Sequence, residues 1–247
     1  MIYIATHKKV SVPSISGYKL IQVGAAGKEK IYQITDDTGD NISKKNPNYS
    51  ELTAIYWMWK NVSDDIIGLV HYRRFFFYNR TTKLHILKQE EIVSLLKDYD
   101  LIVPKKTVML RKSIKENYAE KHHIEDLMKC REIIAQKYPQ YLKEFDEVLD
   151  EHSYYAFNMF ISSNQLFQKY AEWLFDILFE VEKETDISSY DAYNKRIYGF
   201  LSERLFNVWI KHHNKLSIKE LPVFNLEKKN HQLIRFFIDD VKRILVH

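Results

Sequence analysis

Two kinds of apolar pattern alternate along the chain. Short apolar runs bounded by turn-forming residues predict strands at 2–6, 18–23, 65–71, 100–103 and 156–162. Apolar residues at helical spacing predict helices at 50–61, 88–97, 114–138, 141–149, 165–185 and 196–212. Ser50 and the acidic Glu51 mark the start of the first of these helices, and Pro104 stops the strand before it. A loop dense in Asp, Gly, Asn, Ser and Pro spans 36–48. The alternation over the first hundred residues predicts an α/β fold with a mostly parallel central sheet flanked by helices, and a helical C-terminal part follows. Ligands of such sheets collect at strand C-termini. Residues 1–221 read as one domain. Residues 222–247 read as a loop and an amphipathic helix at 231–246 packed on that domain, with Leu233, Ile234, Phe237, Val241, Ile244 and Leu245 apolar.

Composition narrows the classes. The 247 residues suit one large domain, and 45% hydrophobic with 28% charged residues excludes a disordered chain. Aromatics reach 14%, with 17 Tyr, and such rings bury one face while leaving a polar edge for a hydroxyl. The formal charge of +4 permits an anionic partner, but the chain has no basic run of the kind that binds nucleic acid. A single cysteine, Cys130, rules out an internal disulfide and a Cys-based zinc site, which fits a reducing, cytoplasmic compartment. The first residues run straight into a strand pattern, so no signal peptide is expected, and no apolar run approaches the ~20 residues of a spanning helix. Lys242 and Arg243 beside the apolar face at 231–246 allow peripheral contact with the inner membrane face.

Three clusters carry candidate chemistry. His71-Tyr72-Arg73-Arg74 follows a buried strand, where two guanidiniums offer fixed planar donors for phosphate oxygens. The alternative there is carboxylate pairing of the arginines and a core role for His71. Asp36-Asp37-Thr38-Gly39-Asp40-Asn41 places carboxylates in a loop that either meets hydroxyls or a divalent metal, or is a solvated turn. Tyr198 to Arg204 puts Glu203 and Arg204 on a helix, as a proton acceptor with a phosphate-holding neighbour or as a surface pair. His122-His123 lacks the spacing of a helical zinc site. The chain has no Gly-x-Ser-x-Gly elbow, P-loop or Rossmann glycine fingerprint, so hydrolase, kinase and dehydrogenase readings lose ground.

Taken in order, Ile4-Ala-Thr-His-Lys, Asp36 to Ser43, Asn48 to Asn61, Gly68-Leu-Val-His-Tyr-Arg-Arg-Phe-Phe, Asp100-Leu-Ile-Val-Pro, Asn158-Met-Phe-Ile and Gly199-Phe-Leu-Ser-Glu-Arg-Leu resemble a bacterial glycosyltransferase family. That family occurs in capsule, exopolysaccharide and lipopolysaccharide clusters, was long catalogued as a domain of unknown function, and includes galactofuranosyltransferases. The resemblance implies a GT-A-like fold, a UDP-sugar donor and a saccharide or lipid-linked saccharide acceptor. It implies Thr6, His7, Gly24, Asp40, Asn41, His71, Arg73, Arg74 and Arg204 near the donor and its diphosphate. Tyr49 and Asn158 fall on the acceptor side, and Glu203, then Asp37, are the candidate bases of an inverting transfer. Many such folds hold a metal through an Asp-x-Asp strand end; here His71-Tyr72-Arg73-Arg74 stands at the equivalent-looking place, so Mg or Mn is possible but not favoured. Galactofuranose is the first donor sugar to consider. A pyranosyl donor on the same scaffold, and a non-catalytic protein holding anionic polymer, are the rivals.

Overall fold

The computed structural model describes residues 1–79 and 84–228. The helix expected at 231–246 lies outside them. In chain order the elements are β1 (Ile2–Thr6), β2 (Tyr18–Gln22), α1 (Asn46–Tyr49), α2 (Leu52–Asn61), β3 (Ile66–His71), β4 (Arg74–Asn79) and β5 (Leu84–Ile86). Then follow α3 (Gln89–Leu95), β6 (Leu101–Pro104), β7 (Thr107–Val108), α4 (Ile114–Lys121), α5 (Ile124–Lys137), α6 (Leu142–Asp150) and β8 (Ser153–Tyr154). The last are β9 (Phe160–Ser163), α7 (Asn164–Glu184), α8 (Ile197–His212), β10 (Ile218–Leu221) and β11 (Val223–Asn225).

Six strands form the central row in the order β10, β6, β9, β3, β1, β2. Five of them run the same way, and β9 alone is reversed, antiparallel to both β3 and β6. Period-2 alternation assigns the side chains to two layers. Tyr3, Ala5, Ile67, Leu69, Leu101 and Val103 face the layer of α2, α5, α7 and α8, which holds the larger core. Ile2, Ile4, Val70 and Ile102 face the second core, closed by Phe75, Phe76, Phe77, Ile92, Leu95 and Phe224. Near the middle of the row a side chain has no room: a Cβ on Gly68 would stand 2.7 Å from the Phe160 carbonyl oxygen and 2.7 Å from Ile161.

The sheet turns over at β1. From β1 the chain passes to β2 on one side, and the next strand, β3, lies on the other. A crevice opens at such a switch point, outside the strand C-termini. The ends of β1 and β3, at Thr6 and His71, therefore frame the place where a ligand would sit.

Several elements differ from the sequence expectation. Residues 114–138 form two helices, because His122 is extended (φ −140°, ψ 173°) and closes α4. The strand expected at 156–162 begins only at Phe160, since Phe157 and Asn158 take positive φ of 78° and 51°. The aromatic run after Arg73 is a strand, β4, which pairs with β3, β5 and β11. Residues 223–226 are thus tied to the sheet: β11 pairs with β4, and Leu226 N–H donates to the Arg73 carbonyl.

Candidate functional site

At the switch point lies an open cleft of about 630 Å³. Strand ends supply Ala5, Thr6, His7, Val23, His71, Tyr72, Arg73 and Arg74, and the opposite wall comes from α4, α8 and the segments before β9 and α8. Arg73, Arg74, Lys121, Arg196 and Arg204 line it against two carboxylates, Glu51 and Glu203. That imbalance gives the cleft a net positive lining.

Phe157 and Asn158 are the centre of the polar network. The Phe157 N–H donates to Glu203 Oε1 at 2.9 Å, its carbonyl accepts from His71 Nε2 at 2.6 Å, and its ring lies under the Arg74 guanidinium at 4.4 Å. Asn158, buried at 3% exposure, donates from Nδ2 to Glu51 Oε1 at 2.8 Å and accepts at Oδ1 from Ser202 Oγ at 3.0 Å. The three non-glycine residues of positive φ among those described are Ser50, Phe157 and Asn158. Ser50 and Phe157 line the cleft and Asn158 holds one of its carboxylates, so the backbone strain is gathered there.

Desolvation sets the protonation states. Burial pushes the Glu203 carboxyl above the ordinary carboxylate range, with Arg204 beside it at 3.1 Å pulling the other way. Burial lowers His71, and only Nε2–H can donate to a carbonyl, so the neutral ring carries its lone pair on Nδ1. His7 is lowered by burial and then by Lys8, Lys28, Arg73 and Arg196, which records the cationic character of its surroundings. Arg74 is lowered by burial and then by its neighbour Arg73.

The arginines are held differently. Arg73 Nη1 donates to Glu227 at 3.2 Å at an exposed edge, whereas Arg74 has no carboxylate within ion-pair distance among the described residues. Arg196 Nε donates to Ser50 Oγ at 3.0 Å. Arg204, 3% exposed, sits against Tyr118 and Tyr154 and gives Nη1 to the Phe200 carbonyl and Glu203, while its buried Nε has no partner among the described residues.

Of the residues singled out from sequence, the cleft wall brings together Thr6, His7, His71, Arg73, Arg74, Glu203 and Arg204. Gly24, Asp37, Asp40, Asn41, Tyr49 and Asn158 lie outside the wall. Gly24 stands at φ 61° with the Asn46 side chain where its Cβ would be, and Asn46 itself faces the cleft. Asp37 accepts from Thr35 Oγ1 at 2.6 Å, and Asp40 accepts from Tyr56 Oη at 3.1 Å. Asn41 bonds the Gly39 carbonyl and Ser43 N–H, and Tyr49 is fully buried, bonding Glu182 and stacking on Tyr198 at 4.4 Å. The anchor of the acidic loop is Asp36, wholly buried, whose carboxylate accepts from the Gly24 and Ala25 N–H groups and from Ser43.

Sequence reasoning missed Glu51 as a wall residue, Phe157 as its organiser, and the aromatic side formed by His122, Tyr193 and Phe200. The helix-start signal at Ser50-Glu51 located Glu51 without its orientation. Nothing in the sequence marks Phe157. Among the described residues no three His, Cys, Asp or Glu side chains stand close enough together to hold a metal ion.

Fold and cleft together define an α/β protein with a cationic cleft at the topological switch of a mostly parallel sheet. The chain belongs to the family described as "Domain of unknown function (DUF4422)", whose profile matches residues 1–215. It is similar to the structure titled "WbbM bifunctional glycosyltransferase apo structure", with a TM-score of 0.85 and 32% identity over 91% of this chain. This chain spans 45% of that one. No curated protein matches.

Proposed function

We propose that the protein is a glycosyltransferase that takes a sugar from a UDP-sugar, galactofuranose being the first to test, and passes it to a saccharide acceptor of a surface polysaccharide. The observation that carries the reading is the pairing, in one switch-point cleft, of strand-end guanidiniums with a partly buried carboxylate of raised pKa. The likeness to a bifunctional glycosyltransferase supports the same class.

In this reading the diphosphate lies against Arg73 and Arg74, with Thr6 and His7 at the adjoining strand end. The acceptor oxygen attacks the anomeric carbon while the bond from that carbon to the diphosphate oxygen breaks. UDP leaves with the electron pair, and the hydroxyl proton passes to Glu203. Arg74 stabilises charge that grows on the leaving oxygen, a differential effect that raises turnover rather than substrate affinity. A carboxylate whose pKa is raised toward the working pH is a better base than an ordinary one. Glu51, fixed by Asn158, faces the same space. A divalent cation, if one accompanies the donor, would supply further charge to the diphosphate.

The test is nucleotide release from a panel of nucleotide sugars, with and without chelator. Release from one UDP-sugar that persists in chelator is expected, with Arg74→Ala lowering turnover roughly 100- to 1000-fold in a folded protein. Wild-type turnover by folded Arg73→Ala and Arg74→Ala variants would remove the arginine role. Complete loss on chelation would instead point to a divalent cation carried in with the donor.

A further inference from the structure

The chain's positive charge is concentrated beside the cleft. Overall it has 37 Lys and Arg against 33 Asp and Glu. Residues 105–121 alone hold six basic residues, Lys105, Lys106, Arg111, Lys112, Lys115 and Lys121, against Glu116 and Glu120, so the remainder of the chain is balanced at 31 against 31. Within that segment Lys106 pairs with Glu151 and Lys112 with Glu120, while Lys105, Arg111 and Lys115 are exposed.

The same segment carries the most exposed large apolar residues among those described: Leu110 at 92% and Val108 at 64% exposure. Between them Met109 turns inward onto the main core. This tip follows β7, which pairs with β8, and it leads into α4. Tyr154 of β8 and Asn117 and Lys121 of α4 line the cleft, so the tip projects next to the cleft mouth. An exposed apolar tip with exposed cations on both sides of it in the chain fits neither a packed core nor a plain solvated loop. It fits an anionic bilayer surface, where the apolar side chains enter the headgroup boundary and the cations meet lipid phosphates.

We infer that residues 105–115 form a docking site for an anionic lipid surface, with Leu110 and Val108 inserted and Lys105, Arg111 and Lys115 on the headgroups. The inference rests on exposure and charge and stands apart from the transfer reaction. Docking there would hold the cleft close to the membrane, within reach of a lipid-linked saccharide.

The test is flotation of the full chain with phosphatidylcholine vesicles, with and without phosphatidylglycerol. Binding is expected only to the anionic vesicles and to weaken with salt. Leu110→Asp combined with Arg111→Asp alters two exposed side chains and should lower the bound fraction at least about tenfold, with the melting temperature unchanged. An independent reporter is a polarity-sensitive dye on Leu110→Cys, usable because Cys130 is buried. Its emission should shift to the blue with anionic vesicles, and the same dye on Val93→Cys of α3 should not respond. Absence of wild-type binding, binding untouched by the double substitution, or retention on DNA or heparin without vesicle binding would each overturn the inference. None of these readouts needs a sugar donor, so failure here and failure of the transferase reading are separable.

Discussion

Glu203 is the proposed base, and its raised pKa makes it the first residue to test by pH. Its folded pKa is raised, mainly by burial, so the folded protein holds this proton more tightly than the unfolded chain does. The stability this gives is present below the unfolded value and is lost as pH rises through the folded one. A Glu203→Gln variant should therefore gain stability relative to wild type as pH climbs through that window, in paired urea melts. Gln keeps an acceptor for the Phe157 N–H. Activity should follow the opposite course, with the acid limb of the wild-type profile displaced above the ordinary carboxylate range and turnover of the Gln variant reduced roughly 100-fold or more. Arg74 has a separate signature. Arg74→Lys keeps one charge but loses the planar fork over Phe157, so it should restore turnover only partly. At this scale the apolar run of β3 placed His71, Arg73 and Arg74 at a strand end, whereas the choice of Glu203 as base came only from the family resemblance. Asp37 and Asp40, also singled out, lie outside the cleft wall: loop carboxylates satisfy their own backbone and neighbours first, as Asp36 does with Gly24 and Ala25.

Elements owe their places to a few backbone constraints. Asn158 sits in the left-handed region and bridges Glu51, Ser202 and the Gly199 carbonyl. Asn158→Gly should keep the backbone while freeing Glu51, so activity is expected to fall more than melting temperature does. Asn158→Val adds a β-branched residue where φ is 51° and should destabilise by about 1–3 kcal/mol in denaturant unfolding. Gly68→Ala forces β3 away from the Phe160 carbonyl on β9 and is expected to cost about 1–3 kcal/mol, measured the same way. The strands β1, β2, β3 and β6 were legible to within a few residues as short apolar runs bounded by turn formers, and the helices α2, α7 and α8 as apolar residues at helical spacing. The split between α4 and α5 was not, since it depends on His122 stacking on Phe200 at 4.1 Å, a contact between segments far apart in the chain. β4 was hidden for a similar reason: a run of aromatics has no period until its pairing strands are known.

On the scale of the whole molecule, a ligand that binds only the folded chain must raise its stability. UDP at a hundredfold excess over its dissociation constant adds about 2.7 kcal/mol, which for a chain of this size corresponds to roughly 5–10 °C in melting temperature. That shift should persist in chelator and shrink in Arg74→Ala. Its absence with every nucleoside diphosphate tried would count against a nucleotide-binding cleft. The α/β class and the mostly parallel sheet were legible from alternation alone. The cleft's aromatic side was not, because α4, α8 and the loop before them converge only after α5 to α7 have packed.

The reversed strand has one more implication. Because β9 enters the row where its neighbours leave it, Phe157 and Asn158 are fixed by the ladder immediately downstream, on both sides at once. Losing or gaining a single residue between Asn158 and Phe160 would swap the faces of the whole strand, exchanging Phe160 and Ile161 between the two cores. The turn at Tyr72-Arg73 is bound in the same way on its far side, where β4 pairs with β11 and β5 and buries Phe75, Phe76 and Phe77 in the second core. Natural variation in length around this cleft should accordingly be nearly absent both between His71 and Arg74 and just before Phe160.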